Sequence, residues 1–147
     1  MNKCWIVVAH RAGARIFLRR GHAPALELVE AIEHPRGRLQ ERDLGSDRPG
    51  RAYNSVGQSR HAMSNEHPMR EHIAADFARE LADKLQAGRE ARYFDALVLV
   101  AEPHLLGLLR AALDRATAAL VSDTFTKDLV HVADADLPAH LEPLFAV

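Results

Sequence analysis

The side chains best suited to chemistry in this sequence are concentrated between positions 35 and 66. Arginines outnumber acidic residues there, one histidine, His61, lies among them, and His34 and His67 flank the segment. Guanidinium groups present forked donors that match anionic oxygens, so this density of arginines favours a ligand that carries phosphate. The candidate RNA- or phosphate-binding residues are Arg36, Arg38, Arg48, Arg51, Arg60 and His61.

The same segment also admits a structural interpretation. Arg42 can pair with Asp43 or Asp47, which would give a solvated, charge-balanced loop. The nucleic-acid hypothesis adds Tyr53 and His61, whose rings can stack on unpaired bases. Both interpretations stay open at the level of sequence.

Other familiar catalytic arrangements are missing from the sequence. Ser55, Ser59 and Ser64 lie near His61, but no Gly-x-Ser-x-Gly elbow presents a nucleophile. Neither a Gly-x-Gly-x-x-Gly nor a Walker pattern is present to hold the phosphates of a nucleotide. The single cysteine, Cys4, opens a predicted strand and is expected to be a small core residue.

The histidines raise the question of a metal site. His61, His67 and His72 are close in sequence. His67 and His72 are five positions apart, so they would diverge on a helix, and no zinc-ligand spacing is present. We therefore expect surface histidines, no metal and no cofactor.

A second polar group is divided between the two ends of the chain. His10 and Arg11 follow the first predicted strand, and Lys127, Asp128 and His131 follow the last. If the sheet brings these strand ends together, the five side chains would form either a second polar site or an ion-paired latch.

Hydrophobic patterning predicts the elements that would position these residues. Three apolar or alternating runs at 4–9, 15–18 and 26–33 are joined by short turns, which indicates an antiparallel meander. Gly13 suits the first turn because glycine tolerates positive φ. Between 35 and 66 the periodicity is lost, which is typical of a functional or disordered loop.

The second half of the chain alternates helices with strands. Apolar residues at every fourth position predict a helix that begins near Pro68 and ends at Gly88. The continuous apolar run at 94–101 predicts a strand covered on both faces. After it come a helix opening at Pro103, a last strand at 118–125 and a short helix capped by Asp134.

Together these elements predict an α/β fold in one domain spanning 1–147. Strands separated by helices pair in parallel through crossover connections, whereas the opening meander is antiparallel. The fold class is therefore a mixed sheet of about five strands with helices packed on it.

Composition places the chain among ordinary globular proteins. It has 147 residues, of which 48% are hydrophobic and 27% charged, and a formal net charge of −1. No apolar run approaches the roughly 20 residues that cross a bilayer, and no secretory leader pattern is present. One cysteine excludes an internal disulfide and fits a reducing compartment. The sequence predicts a cytoplasmic protein with no membrane partner.

Several stretches resemble the bacterial host attachment protein family, whose members are described as required for attachment to host cells. The matching stretches are WIVVAHRA (5–12), EHPRGR (33–38), SDRPGR (46–51), SRHAM (59–63), FDALVLVA (94–101) and KDL (127–129). The resemblance implies a fold like the middle domain of eukaryotic and archaeal release factors, in which a Gly-Gly-Gln tip precedes a helix and promotes peptidyl-tRNA hydrolysis. Gly57 and Gln58 fall in the corresponding place here, preceded by Val56 instead of glycine.

Three functional hypotheses follow. The first is an RNA- or ribosome-associated factor, with tRNA or the ribosome as partner, that uses the segment's arginines on phosphates. The second, implied by the resemblance, is a release-factor-like hydrolase in which Gln58 positions water. The third is a protein-interaction or oligomerisation module whose loop orders on a protein partner or a second copy.

Overall fold

One five-stranded mixed sheet organises the protein. The computed structural model describes residues 2–35 and 56–142, the stretch 56–68 by its backbone alone. The strands are β1 (Lys3–His10), β2 (Gly13–Arg20), β3 (Glu27–Glu33), β4 (Ala96–Val100) and β5 (Val121–Phe125), in the spatial order β3-β2-β1-β4-β5. This arrangement confirms the predicted α/β fold in one domain.

The antiparallel half of the sheet consists of β1, β2 and β3. Lys3 pairs with Arg20 and His10 with Gly13, so only two residues turn the chain between β1 and β2. Gly13 was expected to supply positive φ at this turn, and that expectation is wrong. A side chain there would place its Cβ 2.3 Å from the carbonyl oxygen of Ile32, so close approach of the β3 backbone requires the glycine.

The parallel half begins where β1 pairs with β4. The chain reaches β4 through helix α1 (Val56–Glu90), and it reaches β5 through α2 (Pro103–Ala112) and the short α3 (Arg115–Ala118). Residues 118–120, which the sequence placed in the last strand, precede β5. After β5, a 3₁₀ turn (Asp134–Asp136) leads into α4 (Leu137–His140).

Each face of the sheet has its own apolar core. Helices α1 and α2 cover one face, where Phe77, Leu81 and Leu85 of α1 pack onto the sheet as the four-residue spacing predicted. The other face is covered by residues 126–142, the C-terminal segment, through Leu129, Leu137 and Leu141. Because β1 lies between the two layers, its central residues are almost completely buried.

Helix α1 is longer than the sequence suggested. It begins at Val56, so the prediction of a start near Pro68 is wrong, and residues 56–66, expected in the loop, are helical. The first turns lack the apolar repeat that marks an amphipathic helix, and a proline favours an end or a start at its own position. The sequence pattern therefore placed the start of α1 near Pro68 instead of Val56.

The end of α1 is fixed by a close approach between the helix and β1. Gly88 was expected to stop the helix, but the helix continues to Glu90 and it is Arg92 that has positive φ, 61°. Tyr93 N–H donates to the Gly88 carbonyl and Arg92 N–H to that of Arg89, which is a Schellman arrangement. Gly88 itself lies against the Trp5 ring.

Among the described residues, no helix combines the length and the apolar character that a crossing of the bilayer requires.

Substituting Gly88 should separate this packing role from helix propensity. A Cβ at Gly88 would lie 2.8 Å from two Trp5 ring carbons, and Trp5 is held by Phe94 at 4.8 Å between ring centroids. We expect Gly88→Ala to lower the free energy of unfolding by about 1–3 kcal/mol through overpacking. Urea denaturation measures the change.

Gly107→Ala in α2 is the matched control, because nothing lies within 4 Å of a Cβ there. It should instead stabilise the protein by about 0.5–1 kcal/mol through helix propensity. Equal stabilisation by both alanines would show that Trp5 tolerates the closer helix.

Candidate functional site

A polar cleft lies at the carboxyl edge of the parallel strands. Its volume is about 360 Å³, and it is lined by Arg11, Arg70, Glu71, Ala74 and His104. Arg11 directly follows β1, and α2 begins three residues after the end of β4. Ligand sites of open α/β sheets are found beyond the carboxyl ends of such strands. The cleft therefore lies where the topology favours a binding site.

His104 is held in this cleft from two directions. Glu102 caps α2, and its carboxylate accepts from the backbone N–H groups of His104 at 3.1 Å and Leu105 at 2.8 Å. The ring nitrogen Nε2 of His104 lies 2.5 Å from Oε1 of Glu71 on α1. The cap fixes the backbone of His104 and the Glu71 carboxylate fixes its ring.

Arg11 is positioned by the tight turn between β1 and β2. The Nδ1 atom of His10 accepts a hydrogen bond from the backbone N–H of Ala12 at 3.2 Å, which closes the turn below Arg11. Arg11 is exposed, whereas Arg70 across the cleft is half-buried on α1. Their two guanidinium groups come from elements far apart in sequence.

The cleft combines the positive charges of two guanidinium groups with one carboxylate and one imidazole. Glu102 already occupies the amide groups at the start of α2, so an added anion would be held by side chains instead of the helix terminus. The Glu71 and His104 side chains are 45% and 49% exposed, so both can reach a ligand. This arrangement suits an anionic ligand in contact with water.

The residues predicted from the arginine-rich segment fall in two classes. Arg36, Arg38, Arg48 and Arg51 lie outside the described residues. Gln58, Arg60 and His61 belong to the first turns of α1, the helix that also carries Arg70 and Glu71. The catalytic role of Gln58 stays a prediction, although its backbone lies in a helix and not on the loop before one.

The structure places the members of the second polar group at separate positions. Arg11 lines the cleft, and His10 braces the turn beside it. Lys127 donates through Nζ to the carbonyl oxygen of His140 at 2.7 Å, and Asp128 accepts from the backbone N–H of Val130. His131 is exposed on the same C-terminal segment. The binding role of the five as one group stays a prediction.

Arg15 of β2 forms hydrogen bonds with the C-terminal segment, and sequence reasoning missed this contact. Its guanidinium group donates to the carbonyl oxygens of Val132 at 2.8 Å and Leu129 at 2.9 Å, and to the Asp134 carboxylate at 2.6 Å. Asp134 was expected to cap the last helix, but it accepts from Arg15 instead. Only pairing between distant segments identifies such a contact.

His34 is a second residue that the sequence did not single out. It follows β3, is 4% exposed, and its ring stacks on Phe77 with centroids 4.4 Å apart. Its backbone N–H donates to the Ala12 carbonyl, and Nδ1 lies 3.8 Å from a Glu80 carboxylate oxygen. These contacts fix the chain immediately before the arginine-rich segment begins.

Fold and cleft together define a single-domain α/β protein with a polar site at the carboxyl edge of its sheet. The chain belongs to the host attachment family: the family model described as "Protein required for attachment to host cells" matches residues 5–141. A comparison with curated proteins finds no match.

Among solved structures, the chain is similar to one titled "Archaeal protein". The two are 13% identical with a TM-score of 0.46, over 99% of this chain and 36% of that chain. This chain therefore spans about a third of the length of that protein. The relation to release factors implied by the sequence resemblance stays a prediction.

Removing the Arg15 side chain should loosen the C-terminal cover of the sheet. Because three acceptors would lose a charged donor, we expect Arg15→Ala to lower the free energy of unfolding by about 2–3 kcal/mol. Arg20→Ala is the control, since the Arg20–Glu27 pair is exposed and should contribute about 0–1 kcal/mol. Equal losses in urea denaturation would contradict this role for Arg15.

Cys4 should react slowly with alkylating reagents. Burial raises the pKa of the Cys4 thiol, while the positive charge of Arg19 acts in the opposite direction. The reactive thiolate is therefore scarcer in the folded chain at a given pH. Iodoacetamide alkylation followed across pH should have a higher midpoint in the folded protein than in urea. A lower midpoint when folded would make Cys4 an activated thiol.

Proposed function

We propose that this host attachment family protein is an intracellular RNA- or ribosome-associated factor, and that its link to attachment is indirect. The observation that carries the proposal is the convergence of Arg11 and Arg70 in one cleft at the carboxyl edge of the sheet. Guanidinium groups pair with phosphate oxygens through two parallel hydrogen bonds, which makes arginine the usual residue for this recognition.

Charge distribution supports a local site in preference to a generally basic surface. The chain has a formal net charge of −1, so long-range attraction to nucleic acid is weak. Binding would depend on contacts at the cleft and on the arginines of the neighbouring segment. Affinity should therefore be modest and sensitive to individual substitutions.

Helix α1 connects the cleft with the segment chosen from the sequence. Arg60 and Arg70 lie ten positions apart on this helix, which corresponds to about 15 Å along its axis. A single-stranded RNA that follows α1 could contact both, because proteins grip single strands along a positively charged track. Arg48 and Arg51 are proposed to extend that track.

Ribosome co-sedimentation and tRNA binding at low and high salt test the proposal. Binding should weaken with salt because displaced counterions oppose it. Arg11→Glu with Arg70→Glu should abolish binding at physiological salt, and reversal of Arg48, Arg51 and Arg60 together should weaken it. For a single strand, each lost phosphate contact reduces the slope of log K against log salt by about 0.7.

Arg110→Glu with Arg115→Glu is the matched control. Arg110 is exposed on α2 and Arg115 is exposed on α3, so the pair changes net charge equally and leaves the cleft intact. If the cleft pair and the control pair bind alike, the cleft is not the site. If the unmodified chain binds neither tRNA nor ribosomes at low salt, the proposed function is wrong.

A further inference from the structure

The same cleft contains a third nitrogen donor besides the two arginines. His104 lines it together with Arg11 and Arg70, and the three come from three different elements. Each of these elements is fixed independently, by the turn after β1, by the α1 core face and by the Glu102 cap. The three donors therefore surround one volume from separate directions.

The contact with Glu71 determines which ring nitrogen of His104 remains for a ligand. The Nε2 atom of His104 lies 2.5 Å from Oε1 of Glu71, so the carboxylate occupies that nitrogen and Nδ1 is the one left to donate to a ligand. A histidine that donates from both nitrogens is an imidazolium. A ligand phosphate opposite Glu71 would place negative charge on both sides of the ring. In the described part of the chain, the charged residues that line the cleft with His104 are Arg11, Arg70 and Glu71, and Glu102 caps its backbone.

We infer that the cleft binds a terminal phosphate monoester, with Arg11, Arg70 and His104 each donating to one phosphate oxygen. The inference rests on the proposed function and specifies its ligand. A phosphate monoester has three terminal oxygens and up to two negative charges, whereas an internal diester of an RNA strand has two such oxygens and one charge. Three convergent donors match the monoester.

The size of the cleft agrees with an end group. At about 360 Å³ it lies near the lower limit for small-molecule sites, which suits one nucleotide and not a helix. Among the residues that the structure describes, the apolar part of the lining is Ala74, whose side chain is small and buried, so these residues hold the phosphate by charge and hydrogen bonds instead of stacking. Such a phosphate belongs either to the end of an RNA strand or to a free nucleotide.

Four fluorescence-anisotropy measurements on the full chain test the inference. The probes are one labelled RNA oligonucleotide with a 5′-phosphate, a 3′-phosphate or hydroxyls at both ends, and unlabelled AMP as competitor. We expect a phosphorylated end to bind roughly tenfold or more tightly than the hydroxyl form, as one additional charged hydrogen bond provides. Displacement by AMP would identify free nucleotides as a source, and its absence would identify strand ends.

Variants locate the preference. His104→Ala should abolish the preference for a phosphorylated end, whereas Arg110→Ala, on the exposed side of the same helix, should retain it. Glu71→Gln separates positioning from bulk charge. If Glu71 acts only through its negative charge, Glu71→Gln should tighten the binding of every RNA equally. If Glu71 positions His104, the substitution should remove the preference for a phosphorylated end. Circular dichroism and thermal unfolding establish that each variant folds.

The outcomes distinguish the two proposals. Equal binding of phosphorylated and hydroxyl RNA, or a preference that survives His104→Ala, overturns the inference while the RNA-associated function stands. Binding of no RNA at low salt overturns both. Uniform tightening in Glu71→Gln with the preference retained contradicts the role assigned to Glu71.

Discussion

Complete burial of β1 on both faces is the constraint on which the rest of the structure depends. Ile6, Val7 and Val8 are at most 1% exposed, with alternate side chains entering the two opposite cores. Such burial requires a partner strand on each edge and a cover on each side. The partner strands are β2 and β4. The covers are the layer of α1 and α2 on one face and the C-terminal segment on the other. The carboxyl edge of β1 is thereby fixed, and Arg11 with it.

The packing of this core sets the geometry of the cleft. Helix α1 is held against the sheet by Phe77, Leu81 and Leu85, and its C-terminal end is fixed where Gly88 meets Trp5. Arg70 and Glu71 lie three positions before Ile73 and Ala74, which are buried, so the core that holds α1 also positions them. A binding site on helices and strand ends is more exactly held than one on loops alone.

Local patterns predicted most of the architecture and part of the candidate site. All five strands and the apolar faces of α1 and α2 follow from hydrophobic periodicity, because burial on a sheet or helix imposes a repeat on the sequence. The predicted start of α1 was wrong because the sequence of its first turns has no regular apolar repeat. Arg11 was selected from its place after a strand, whereas Arg70, Glu71 and His104 resembled ordinary surface residues.

What the sequence by itself determined is the fold class, the family and the position of its arginine-rich segment. Those features are local or cumulative: apolar repeats, turn residues and short motifs read along the chain. Only the tertiary structure decided that Arg11, Arg70, Glu71 and His104 share one cleft, and that Arg15 and not a helix cap holds Asp134. Contacts between residues separated by 33 to 119 positions depend on packing that leaves no periodic signal.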